Sequence, residues 1–90
     1  MPADAPATIL IVDDDYQNCR LFDALLRSAG YLTQSAASGE AAIASIAAQA
    51  PDLILLDVMM PGMDGFAVAR LLKAQPATSN IPITIGDSTR

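Results

Sequence analysis

Two sets of carboxylates stand where apolar runs end. Asp13, Asp14 and Asp15 follow Ile9 to Val12, and Asp57 follows Leu53, Ile54, Leu55 and Leu56. Such a run has the character of a parallel strand covered on both faces, and the C-terminal edge of those strands is where open α/β sheets bind ligands. A lone Asp after a strand is ordinarily the first solvated residue; the repetition of the pattern turns the reading toward a site. Two carboxylates ~4.5 Å apart repel by roughly 3 to 4 kcal/mol at an effective dielectric of 20, so three together need a proton or a cation. An all-oxygen set with few protein ligands suits Mg²⁺, which keeps several waters and commonly shares a phosphate with the protein. The run lacks the spaced ligands of an EF-hand loop, which argues against calcium. Asp57 stands apart on its own loop, where a carboxylate can attack phosphorus to form an aspartyl phosphate while a metal bridges the transferred group.

Bringing these carboxylates together requires a particular order of elements. Thr8 to Val12 is expected as a short buried strand, after which Asp14 or Asp15 caps a helix running to Ala29 and stopped by Gly30. Cys19, Phe22, Leu26 and Ala29, widened by Leu25, form its apolar stripe. Tyr31 to Ala36, with Thr33 inside it, suits a strand near a sheet edge. Ser38 caps a second helix with Glu40 in its first turn, Ile43, Ile46, Ala47 and Ala50 on its buried face, and Pro51 at its end. Beyond the strand that closes at Asp57, the stretch from Val58 to Gly62 carries turn chemistry, and Asp64-Gly65 opens a third helix to Ala74. Phe66, Ala69 and Leu72 are expected inward on it, Arg70 and Lys73 in solvent. A polar connection, Gln75 to Asn80, leads to a fourth strand, Ile81 to Ile85, with Pro82 tolerable at its start, and a polar tail to Arg90. The order βαβαβαβ implies a parallel sheet with right-handed crossovers. If a later crossover returns past strand 1, strands 1 and 3 become neighbours, ~4.8 Å apart, and Asp13, Asp14 and Asp57 share one pocket.

Bulk properties narrow the alternatives. Ninety residues make one small domain at most; an apolar fraction of 52% argues against disorder, and the few aromatics demand a core of Ala, Leu, Ile and Val. A net charge of −5 without a Lys/Arg cluster argues against nucleic acid or an anionic membrane as partner. The single cysteine, Cys19, excludes an intrachain disulfide and is expected as a small core residue. Residues 1–7, with Pro2 and Pro6 but neither a basic n-region nor an apolar h-region, are expected as a disordered tail and not a signal peptide. No apolar stretch approaches the ~20 residues of a membrane span, so the expected location is cytoplasmic.

With these residues in view, the sequence resembles the receiver domain of bacterial two-component response regulators. ILIVDDD at the first strand end, LLDVMMPGMDG at the third and NIPI opening the fourth carry the likeness, which covers about Ile9 to Ile85. The resemblance implies a flavodoxin-like α/β fold with strand order 2-1-3-4. It implies a phosphorelay role in which Asp57 accepts a phosphoryl group from a sensor histidine kinase or histidine phosphotransfer protein, in a signalling domain and not an enzyme. Mg²⁺ would be held directly by Asp14 and Asp57, through water by Asp13, and by the backbone carbonyl of Met59, with Pro61 and Gly62 shaping the loop. Residues 8–90 would be a receiver truncated after strand 4, without helix 4, strand 5 and helix 5. The hydroxyl residue that closes strand 4 in this family falls on Asp87, with Ser88 one residue late and Thr89 two, and the lysine that closes strand 5 has no counterpart, Lys73 lying on the third helix. Impaired switching is expected from that.

Two other readings compete. One is an interaction module that is never phosphorylated and that self-associates, or binds a partner, through an exposed strand 4 edge and the first helix's face. In the resembling fold those are the surfaces that the later elements would cover. The other is a phosphatase resembling the haloacid dehalogenase family, whose DxDx motif Asp13, Asp14, Asp15 and Tyr16 imitate. Gln17 in place of its Thr or Val, and the lack of a later Lys and acidic pair, disfavour it.

Overall fold

The computed structural model describes residues 6–57, 65–76 and 78–86, with Asp57 described through its backbone alone. Along them run β1 (Thr8–Val12), α1 (Tyr16–Ser28), β2 (Leu32–Ala36), α2 (Gly39–Ala48), β3 (Leu53–Asp57), α3 (Gly65–Ala74) and β4 (Ile83–Gly86). The strands pair in parallel in the order β2-β1-β3-β4. This is the parallel α/β arrangement expected from the alternation of elements, in the flavodoxin-like order that the resemblance implies. Because the first crossover runs outward to β2 and the next two run the other way, right-handed connections place α1 on one face and α2 with α3 on the other.

The burial of β1 follows from its central position. Ile9, Leu10, Ile11 and Val12 are all buried, since alternate side chains reach both covered faces. Leu10 and Val12 join Ile54 and Leu56 of β3, Ala42 and Ile46 of α2, and Val68 and Leu72 of α3 in one core. Ile9 and Ile11 face the other way, on the side where α1 lies against β1 and β2.

Several element details depart from expectation for local reasons. Pairing in the fourth strand begins at Ile83, two residues later than expected. Ile81 donates its N–H to Thr78 across a turn at 3.1 Å, and Pro82 contributes only its carbonyl, accepting from Ile54 N at 3.0 Å. The second strand starts at Leu32, because Tyr31 N–H closes the end of α1 on the Leu26 carbonyl. On α2 the buried residues are Gly39, Ala42 and Ile46, whereas Ala47 and Ala50 are exposed. An alanine-rich helix has too little contrast around its circumference for periodicity to choose the face. On α3, Leu72 is buried and Ala69 packs against the core as expected, but Phe66 is 50% exposed and Val68 takes the inward place beside Leu72. On α1, Cys19 is buried and Phe22 and Leu26 are half-buried, but Leu25 and Ala29 are exposed. Of the expected tail, residues 1–5 lie outside the described residues; Ala7 is tied to the sheet by the Leu32 N–H at 2.9 Å.

Candidate functional site

The C-terminal ends of β1 and β3 are adjacent. Their register pairs Val12 with Leu56, so the next residues along, Asp13 and Asp57, leave neighbouring strands side by side. Asp57 N-terminal to the loop still belongs to the ladder, opposite Gly86 of β4. Strand spacing of ~4.8 Å therefore brings the backbone of the acidic run at the end of β1 beside that of Asp57. Met59, Pro61 and Gly62 lie outside the described residues, as do Asp64, Asp87, Ser88 and Thr89.

Asp13 and Asp14, though consecutive, differ sharply. Asp14 is exposed, while Asp13 is 3% exposed and held from several sides. Its N–H extends the β1–β2 ladder by one bond, donating to the Ala36 carbonyl at 3.1 Å. Its Oδ1 accepts from the Asp15 N–H at 2.9 Å and its Oδ2 from Asn18 Nδ2 at 3.2 Å. Asp15 is the N-cap of α1, its Oδ1 accepting from the N–H groups of Gln17 at 2.9 Å and Asn18 at 3.4 Å. This decides between the two capping residues that the sequence allows, and leaves Asp14 as the one acid of the run facing solvent. The Cys19 thiol donates to the Asp13 carbonyl at 3.3 Å. Burial first, then the charges of Asp13, Asp15 and Asp14, push that thiol above its ordinary value, so it stays protonated.

The donor chemistry fits a hard divalent cation. Asp13, Asp14 and Asp57 supply carboxylate oxygens only, and the nearby sulfur is a protonated thiol engaged with the backbone. Among the described residues, which exclude the Asp57 side chain, no group of three or more His, Cys, Asp or Glu side chains comes together, so the fit depends on Asp57 joining the β1 end. Lys73 sits where expected, on the last turn of α3, and its Nζ donates to the carbonyls of Ser79 at 3.2 Å and Ile81 at 3.4 Å, pinning the connection that leads into β4.

Sequence reasoning missed two polar groups. Asn18 gives no motif, although a neutral amide in the first turn of a helix that follows an acidic run is the signal that could have found it. Asp23 is the other: Thr33 Oγ1 donates to its Oδ1, as does Arg27 Nε at 2.8 Å, joining α1 to β2. Those two bonds hold the Asp23 carboxyl below its usual range, Thr33 contributing most.

A four-stranded 2-1-3-4 sheet with acids at the β1 and β3 ends defines a class, and comparison with known proteins agrees: the chain belongs to the response regulator receiver domain family, whose model matches residues 9–89. It is similar to Response regulator PleD of Caulobacter vibrioides, 51% identical over 79 residues, covering 88% of this chain and 17% of that protein. It is also similar to the gliding motility regulatory protein of Myxococcus xanthus, 39% identical over 84 residues, with coverage of 93% and 11%. Among solved structures, the N-terminal domain of a response regulator receiver protein from Methanoculleus marisnigri JR1 superposes with a TM-score of 0.87 at 40% identity, over 90% of this chain and 66% of that one. The chemotaxis response regulator CheY4 of Vibrio cholerae superposes with a TM-score of 0.86 at 32% identity, over 90% and 68%. The chain thus spans 17% or less of the length of these curated relatives and about two-thirds of the related structures.

Proposed function

We propose that this chain is a phosphoryl-accepting receiver module of a two-component phosphorelay, with Asp57 as the acceptor. The observation that carries it is the register that sets Asp13 and Asp57 side by side on β1 and β3. Family membership supports a phosphohistidine on a sensor histidine kinase or histidine phosphotransfer protein as the donor. In the transfer, an Asp57 carboxylate oxygen attacks phosphorus, the nitrogen–phosphorus bond breaks, and its electron pair returns to the imidazole of the donor. Mg²⁺, when bound, offsets the charge that develops on the phosphoryl oxygens. Asp14 and Asp57 would hold it directly, Met59 through its backbone carbonyl, and Asp13 through water; the burial of Asp13 and the exposure of Asp14 support that division. Pro61 and Gly62 would shape the loop beside the acceptor, and residues 8–90 would form the receiver portion.

Phosphorylation of Asp57 is read out weakly. The hydroxyl position falls on Asp87, whose carboxylate would repel phosphoryl oxygens. The net charge of −5 disfavours nucleic acid, and no described helix is long and apolar enough to cross a membrane; both fit a cytoplasmic signalling domain. A second reading, a non-phosphorylated interaction module that self-associates, is favoured by exposed Leu21, Leu25 and Ile85 and by the outer edge of β4.

The cation site is tested by titrating the chain and its Asp57→Asn variant with Mg²⁺ while following amide shifts. Weaker binding in the variant, with shifts near Asp13, Asp14 and Asp57 in the parent, is expected. Identical curves, or no shifts there, would remove the site.

A further inference from the structure

We infer that Asn18 is a positioning residue for the acidic edge: its side-chain amide fixes the Asp13 carboxylate, and that fixation sets how tightly the edge takes a divalent cation. The inference rests on the Mg²⁺ reading above. Asp13 is 3% exposed, so its carboxylate depends on protein donors in place of bulk water, and an unsatisfied buried charge is costly. Each of its oxygens carries a donor from the start of α1: Asp15 N–H on Oδ1 at 2.9 Å and Asn18 Nδ2 on Oδ2 at 3.2 Å. Two bonds on two oxygens define the plane of the carboxylate, and a further partner must approach along the lone-pair directions they leave. The backbone at this position is pinned as well, by the Cys19 thiol on the Asp13 carbonyl and by the ladder bond to Ala36.

The chemistry of the side chain at position 18 matters. A backbone N–H supplies one donor by virtue of the helix cap alone, and the donor on Oδ2 comes from a side chain. An Asn provides it without charge. A lysine there would neutralise Asp13 as an ion pair and compete with the cation, and an aspartate would add to the repulsion among Asp13, Asp14 and Asp57. Hydrogen-bond partners one shell out from a metal typically contribute 10- to 100-fold in affinity by orienting the groups that face it.

The test uses Asn18→Leu, which keeps the branched shape of the side chain and removes the donor, with Leu26→Ala as a variant that weakens α1 elsewhere. Without metal, the Asp15 amide proton, which reports its bond to Asp13 Oδ1, is expected to move upfield in Asn18→Leu and to stay in place in Leu26→Ala. With Mg²⁺, followed by amide shifts, the dissociation constant is expected to rise about tenfold in Asn18→Leu and to stay within about twofold in Leu26→Ala. An unmoved Asp15 proton together with parental Mg²⁺ affinity in Asn18→Leu overturns the inference and leaves the cation site standing. Equal loss in both variants reduces Asn18 to a stabiliser of α1 and overturns it too. A parent chain that takes up no Mg²⁺ overturns both the inference and the site beneath it.

Discussion

At the scale of single residues, Asp23 shows how a side chain outside the candidate site is tied to the fold through its charge. Thr33 Oγ1 from β2 and Arg27 Nε from α1 both donate to it, and its pKa is lowered from the ordinary 3.8. A carboxyl whose folded pKa is depressed contributes stability that is fully present above the unfolded value and is lost as pH falls through the folded one. Asp23→Asn is therefore expected to be less stable than the parent near neutrality, and the difference is expected to close as pH drops below 3.8. Urea unfolding at a series of pH values measures this; a gap that stays constant into the acid range contradicts it. The site residues divide in the same physical way between what a sequence shows and what it hides. Asp13, Asp14 and Asp57 stand out as candidates because a carboxylate that ends an apolar run is conspicuous in one dimension. Asn18 does not, because its bond to Asp13 exists only once α1 turns its first residues back over the end of β1.

At the scale of elements, the end of α1 is the clearest case of local chemistry fixing a boundary. Gly30 N–H bonds to the Arg27 carbonyl at 3.0 Å and Tyr31 N–H to the Leu26 carbonyl at 3.0 Å, the two bonds of a Schellman cap. The turn requires a positive φ, and Gly30 has φ 101°. A Cβ built there meets no atom within 4 Å, so the cost of a side chain is one of backbone conformation alone. Gly30→Ala is expected to lose about 1–2 kcal/mol, and Gly30→Asn less, since Asn tolerates positive φ better. Thermal or urea denaturation checks the order; Gly30→Ala as stable as the parent would contradict it. Capping and stop signals thus place Gly65–Ala74 at both ends, whereas α2 stops at Ala48, short of the Pro51 expected to end it. The faces were less legible. Ala41, Ala42, Ala44, Ala47 and Ala48 offer little contrast on α2, and on α3 the bulk of Phe66 outweighed the correct i, i+3, i+7 set of Gly65, Val68 and Leu72.

At the scale of the whole molecule, apolar surface stays open in several places among the described residues: Leu21 and Leu25 on α1 are each 56% exposed, Phe66 on α3 is 50% exposed and Ile85 at the β4 edge 45%. Covering a few hundred Å² of such surface is worth on the order of 5–10 kcal/mol at ~25 cal/mol/Å², and an open strand edge invites pairing. This chain is therefore expected to self-associate, seen in sedimentation velocity as a coefficient that rises with concentration; a compact monomer at all concentrations that binds no apolar dye would contradict that. The central claim, that the adjacent ends of β1 and β3 make Asp57 a phosphoryl acceptor, is tested most directly by treating the chain with acetyl phosphate, with and without Mg²⁺, and locating the adduct by mass spectrometry after borohydride trapping. One Mg²⁺-dependent phosphoryl group is expected, on Asp57, and none in Asp57→Ala. A phosphoryl group retained in Asp57→Ala, or no uptake by the parent chain with Mg²⁺ present, would contradict the claim.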